Sequence, residues 1–221
     1  FSDQTPINLS RALESLDKQN MKALILDVRY NPGGLLDVAV KVTEAFLDKD
    51  KIIVSTKSRM DNQNLEFRSD HSSKYKDLPI VVLINEGSAS ASEIVAGALQ
   101  DYKRAILIGT KTFGKGLVQT VVPLSDGSAV KLTTSKYFTP LGRSINGEGI
   151  KPDIEIESQE IIEAEDKDKE ESIQEQIAKK FEEEQPKDDF MQRYKKDNQL
   201  FRAVDVLKGL LIYSQLMKET K

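Results

Sequence analysis

The residue pattern predicts an α/β domain with a largely parallel sheet, followed by a β-hairpin region and a C-terminal helical segment. Three observations carry that expectation. Helix-period and strand-like segments alternate from residue 5 to residue 109. Residues 23–30 and 79–84 are near-continuous apolar runs, as in strands covered on both faces. Beyond residue 117 the texture changes to longer strand-like runs around a Ser125-Asp126-Gly127 turn, and beyond 157 to charged, helix-period sequence.

Taken in order, residues 1–4 read as the tail of a strand that precedes the chain. Thr5-Pro6 reads as an N-cap and first helical residue. Leu9, Ala12, Leu13 and Leu16 then form an apolar stripe at helical spacing that ends near Asn20. The strand at 23–30 stops at Asn31-Pro32-Gly33-Gly34, a strong turn signal. Residues 36–47 read as an amphipathic helix with Val38, Val42, Ala45 and Phe46 inward, and 52–55 as a short strand. Residues 57–76 are polar and read as a surface loop or weak hairpin.

The strand at 79–84 turns through Asn85-Glu86-Gly87 into Ser88-Ala89-Ser90-Ala91-Ser92 and then a helix carrying Ile94, Val95, Ala98 and Leu99. A strand at 105–109 ends in Thr110-Lys111-Thr112-Phe113-Gly114-Lys115-Gly116, a lysine flanked by glycines. Residues 117–124 and 129–138 form the hairpin, and 150–156 a last short strand. Residues 164–171 read as a linker or exposed helix. Ile173, Ile177 and Phe181 mark a helix ending before Pro186, and Leu200, Val204, Leu207 and Leu211 mark a final amphipathic helix. That helix cannot persist alone in water, so it either packs on the core or meets a partner chain. The texture divides the chain into a core, 1–157, and a linker with C-terminal helices, 158–221.

Composition narrows the chemistry. The 221 residues contain no cysteine, one histidine and a net charge of −4. Disulfides, thiolate catalysis and cysteine-ligated metals are excluded. His71 lies in a polar, irregular run and reads as a solvated loop residue, which disfavours a Ser-His-Asp triad and a histidine metal site. No metal or other cofactor is expected. Acids and bases are mixed without a basic, aromatic-laced stripe, so nucleic acid is not an expected partner. No apolar run is long enough for a membrane-crossing helix.

The serine-rich turn has the layout of a nucleophile elbow: strand, glycine turn, small hydroxyl residue at a helix start. Backbone N–H groups of a first helical turn can face a developing oxyanion. Without a usable histidine, a serine nucleophile needs another base, and lysine is the usual substitute. Ser90 and Lys115 sit on loops after neighbouring strand-like segments, and Phe113 is expected to shield the lysine amine from water. Structural readings stand beside these. Ser90 and Glu93 form a capping-box pattern. Ser88 and Ser92 are rival hydroxyls, Gln119 is equally a sheet-face polar residue, and Asp27 with Arg29 reads as an ion pair.

Three segments in order, Leu24 to Gly34, Asn85 to Ile94 and Gly109 to Gln119, closely resemble the C-terminal processing peptidases, or tail-specific proteases. Gly147 to Asp153 resembles their closing strand, and the likeness covers about Ser2 to Glu157. The resemblance implies a crotonase/ClpP-like core and a Ser-Lys endopeptidase acting on proteins with apolar, loosely folded C-terminal tails. It assigns the nucleophile to Ser90, the base to Lys115 and a helper role to Gln119. It assigns the oxyanion amides to Ala91 and the Gly33-Gly34 pair. It implies a bacterial periplasmic, envelope or secreted location, and a homodimer through C-terminal helices. Relatives usually carry a PDZ domain and a signal peptide ahead of the core. Neither lies within these residues, and Phe1 falls near where a PDZ domain would end. An inactive scaffold of the same fold and an acyl-CoA enzyme are the competing readings.

Overall fold

A computed structural model describes residues 1–59, 62, 64–159 and 196–219. In chain order the elements are α1 (Thr5–Lys18), β1 (Leu24–Asp27), α2 (Leu36–Glu44), β2 (Ile52–Ser58), β3 (Leu65–Arg68) and β4 (Ile80–Ile84). Then follow α3 (Ala91–Asp101), β5 (Ile106–Gly109), β6 (Leu117–Pro123), β7 (Ala129–Phe138), β8 (Ile154–Glu155) and α4 (Asn198–Glu219). The strands form two four-stranded sheets. One is parallel, in the order β1-β4-β5-β8; the other is antiparallel, in the order β3-β2-β7-β6.

β4 shows why the parallel sheet reads as continuous apolar sequence. Side chains alternate across a strand. Ile80, Val82 and Ile84 join the core formed with α1, α2 and α3, whereas Val81 and Leu83 pack against Leu200, Ala203 and Leu207 of α4. Both faces are covered, so all five residues are buried. α4 therefore docks on the sheet, and its distal Ile212, Tyr213, Leu216 and Met217 are exposed. The docking alternative for the final helix holds for its first half.

An ion-pair cluster fixes the start of α4. Arg29, just beyond β1, donates to Asp27 and, from across the chain, to Asp197 and the Gln199 side chain. Asp197 also accepts the Leu200 N–H at 2.9 Å, and the Gln199 amide reaches the Ile156 carbonyl. Burial acts to raise the Asp197 pKa, but the Arg29 hydrogen bonds and charge outweigh it and hold the carboxyl below the ordinary range.

Some local expectations change. Gln4, not Thr5, is the N-cap of α1, and Thr5 lies inside the helix while its hydroxyl accepts the Ser2 N–H. Phe1 is not in a strand; it packs on the core, and its carbonyl accepts from Leu35 N–H. α2 ends at Glu44, and a turn carries Phe46 and Leu47 into the core. Within the polar run 57–76, β3 pairs antiparallel with β2, so β2 belongs to the second sheet rather than to the parallel one. The hairpin β6–β7 closes at Leu124 and Ser128 through a turn whose Gly127 has φ +85°. The helix expected around Ile173–Phe181 and the linker at 164–171 lie outside the described residues.

Candidate active site

The parallel sheet delivers two loops side by side. β4 and β5 are adjacent and in register, Ile84 opposite Gly109, so the serine turn and the lysine turn leave the C-terminal ends of neighbouring strands together. The serine turn is tightly specified. Asn85 Oδ1 accepts the Tyr30 and Gly87 N–H groups. Ser88 is fully buried, accepts the Asn85 N–H and donates to the Val28 carbonyl. Ser92 donates to the Asn31 carbonyl. Both rival hydroxyls are therefore committed to holding the turn.

Ser90 differs from both. It is half-buried, and as the N-cap of α3 it has φ +56° and ψ −113°. A positive φ is unfavourable for a residue with a Cβ, and such strain is retained where surrounding bonds over-determine the backbone. Those bonds come from Glu93. Its carboxylate accepts the Ser90 N–H at 2.8 Å, as the expected capping box requires. The Glu93 N–H meets the Ser90 carbonyl at 2.9 Å.

Glu93 does more than cap. It is 0% exposed, and the same carboxylate accepts from the Lys115 N–H (2.8 Å), the Gly114 N–H (2.7 Å) and the Thr112 hydroxyl (2.6 Å). Ser90 N and Lys115 N share its Oε2. Thr112 in turn accepts the Ile150 N–H, linking the lysine turn to the segment before β8. One buried carboxylate thus ties both loops together through four donors. Among the described residues no Ser90–Lys115 side-chain hydrogen bond joins the two loops.

The glycine turn after β1 closes the site from the other side. Asn31 accepts the Ala89 N–H through its carbonyl and the Gly33 N–H through its side chain. A methyl group on Gly33, whose φ is +92°, would sit 2.7 Å from Ala91 N and 3.0 Å from Ser90 Cβ. Only a residue without a Cβ permits that approach. Among the described residues, the N–H groups of Gly34 and Ala91 donate to no protein acceptor.

Of the residues singled out from sequence, Ser90, Ala91, Gly33 and the backbone of Lys115 come together. Gln119 does not share their contacts: it is exposed on β6, opposite Thr133, beside a register shift. Phe113 does not shield the lysine, because Phe113 is 69% exposed and Lys115 is exposed as well. The Phe113 N–H instead anchors the loop to the Ser88 carbonyl. His71 is solvated, with Glu44 4.0 Å away. Among the described residues no cluster of His, Asp and Glu could hold a metal ion, and no helix is long and apolar enough to cross a membrane. The reach of Glu93 was not expected. Its signal was a lone carboxylate in an otherwise small and apolar helix start.

These features define a serine-turn, lysine-turn site on a parallel sheet, and comparison with known proteins gives the family. Residues 1–156 match the model of peptidase family S41, so the chain belongs to that family. It is 50% identical over 161 residues to the carboxy-terminal-processing protease of Bartonella bacilliformis, covering 71% of this chain and 37% of that protein. It is 46% identical over 158 residues to a probable CtpA-like serine protease of Staphylococcus aureus, covering 72% and 32%. The structure of a photosystem II D1 C-terminal processing protease is similar at TM-score 0.66 and 41% identity, covering 71% and 40%. The chain thus spans about a third of the length of those two relatives.

Proposed function

We propose that this chain carries the catalytic core of a serine endopeptidase, acting on proteins near apolar, loosely folded C-terminal tails. The observation that carries the reading is the buried Glu93 carboxylate, which holds Ser90 N and Lys115 N on one oxygen atom. The names of the relatives support the reaction class, and the exposed Tyr30, Leu35 and Phe113 on the converging loops support apolar substrates.

In the proposed cycle, Lys115 Nζ, as a neutral amine, takes the Ser90 Oγ proton while Oγ attacks the scissile carbonyl carbon. The oxyanion receives hydrogen bonds from the Ala91 and Gly34 N–H groups, since the Gly33 N–H is engaged by Asn31. The C–N bond breaks as Lys115 returns its proton to the leaving amine. Water then adds to the acyl ester, losing its proton to Lys115, and the ester C–O bond breaks as Lys115 returns that proton to the departing Ser90 Oγ. With both Phe113 and Lys115 exposed, the bound substrate itself would have to exclude water from the amine. Gln119, four residues beyond Lys115, would act as its helper. The same proposal has the protein periplasmic, envelope-associated or secreted in a bacterium. It also pairs two chains through the exposed apolar ends of their α4 helices.

The test is digestion of an unfolded protein with fragments identified by mass. Ser88→Ala and Ser92→Ala should retain cleavage, whereas Ser90→Ala should lose it by at least about 10³-fold. Removal of the cap residue should cost only about 0.5–2 kcal/mol of stability. Cleavage by Ser90→Ala at the unmodified rate overturns the reading.

A further inference from the structure

The hairpin that follows Lys115 is built differently from the rest of the molecule. Among the described residues β6 pairs on one side only, with β7, and lies at the edge of its sheet. Its last five residues and the first six of β7 are exposed, so both faces of the ribbon are open. A two-stranded ribbon of this kind is marginal in water unless something covers it.

The register says which backbone groups are open. The Leu124 N–H donates to the Ser128 carbonyl, which makes Leu124–Ser128 a hydrogen-bonded pair. Antiparallel pairs alternate between bonded and non-bonded types. Val122–Val130 and Thr120–Leu132 are then bonded, and Pro123–Ala129, Val121–Lys131 and Gln119–Thr133 are not. The N–H and C=O groups of Gln119 and Val121 therefore point away from β7, along the free edge. Pro123 follows in the same phase, where its missing N–H costs no ladder bond and ends the row of donors. Exposed Val122, Leu124, Val130 and Leu132 lie together on one face beside that edge.

We infer that β6 is the docking edge for an extended segment of substrate, which adds as a further strand along Gln119 and Val121. The inference rests on the proposed peptidase reading and names its recognition surface. Three features select this occupant. The edge is continuous with the candidate site, because β6 begins two residues after Lys115. The open groups are backbone donors and acceptors, which any extended peptide satisfies. Alternate side chains of an added strand would fall on the Val122–Leu132 face, which favours apolar residues at every second position.

The experiment uses the whole chain and a fluorescein-labelled, unstructured peptide alternating valine and serine. Anisotropy reports binding; reaction of Ser90 with a small fluorophosphonate reports the catalytic reading separately. Val121→Pro removes the outward donor without removing a ladder bond. It should weaken peptide binding by at least about tenfold, the loss expected for a charge-free hydrogen bond plus its register. Phosphonate labelling should be unchanged. A second arm leaves the protein intact: N-methylating the peptide amides in one alternating phase should abolish binding, and in the other phase should spare it. Equal binding by Val121→Pro and wild type, equal effects of the two methylation phases, or no peptide binding by wild type would each overturn the inference. So would an edge occupied by a second copy, seen as a dimer mass in light scattering that Val121→Pro halves. Failure of phosphonate labelling in wild type counts against the peptidase reading alone.

Discussion

The two sheets solve opposite problems. The parallel sheet is covered on both faces, by α1–α3 on one side and α4 on the other, and its strand β4 is buried at every residue. The antiparallel sheet ends in a ribbon exposed on both faces. The most tightly tied turn sits at the C-terminal strand ends of the first sheet, where Ser90 keeps its positive φ because Glu93, Asn31 and Asn85 leave the turn no alternative. Groups offered to something extended and variable sit on the second. Rigidity and openness are thus assigned to different sheets, joined by the lysine loop.

The comparison breaks most readily at Glu93. Glu93→Ala removes the acceptor of four donors, three of them backbone N–H groups. Bonds to a charged acceptor contribute about 1.5–3 kcal/mol each, and the local structure relaxes around some of the loss. The expected destabilisation is about 3 kcal/mol or more, or roughly 6–12 °C in Tm for a chain of this size. Glu93→Gln should recover little, because its NH₂ group would face donors. Thermal unfolding of both variants checks this, and a Glu93→Ala protein as stable as wild type would remove the carboxylate from its central place.

A smaller loss is expected on the opposite face of the parallel sheet. Leu207 is 6% exposed against Val81, Leu83 and Ile108. Leu207→Glu should cost about 2–4 kcal/mol, with limited proteolysis cutting first within 196–219. Light scattering on the same variant sharpens the oligomer proposal. A dimeric parent that becomes monomeric would link α4 docking to chain pairing; an unchanged monomer would leave docking alone.

The smallest effect concerns acid. Arg29 holds the Asp197 carboxyl below its ordinary range despite burial. Its stabilising contribution is therefore complete above the unfolded carboxylate value of about 3.9 and is lost as pH falls through the lower folded value. Asp197→Asn should flatten that acid limb and leave stability near neutral pH only slightly reduced, as measured by urea unfolding from pH 7 to pH 2. An acid limb that is identical in the variant would show that other carboxylates set it.

What could be read from sequence follows the same division. β4 and β5 were legible because burial on both faces leaves a continuous apolar run, and the turns were legible because glycine and proline mark them. β3 was legible only as the weak-hairpin alternative for 57–76, since Leu65–Arg68 is a mostly exposed edge strand without alternation. The role of Glu93 was half legible: a capping box is local, whereas its bonds to Thr112, Gly114 and Lys115 depend on β4 and β5 lying side by side. The Arg29–Asp197 pair, 168 residues apart, leaves no periodic trace. Phe113 misled because an aromatic residue beside a lysine says nothing about which way either points.

The most direct test of the Ser90–Lys115 assignment is the rate of fluorophosphonate labelling against pH, with the modified residue located by mass spectrometry. Wild type should be labelled at Ser90, faster as pH rises from mildly acidic to alkaline, because a protonated amine cannot accept the serine proton. His71→Ala should follow the same profile. Lys115→Arg keeps the positive charge but offers no neutral form, and should react slower by at least about 10²-fold at every pH. Labelling of Lys115→Arg at the wild-type rate, or modification at Ser88 or Ser92 instead of Ser90, would contradict the assignment.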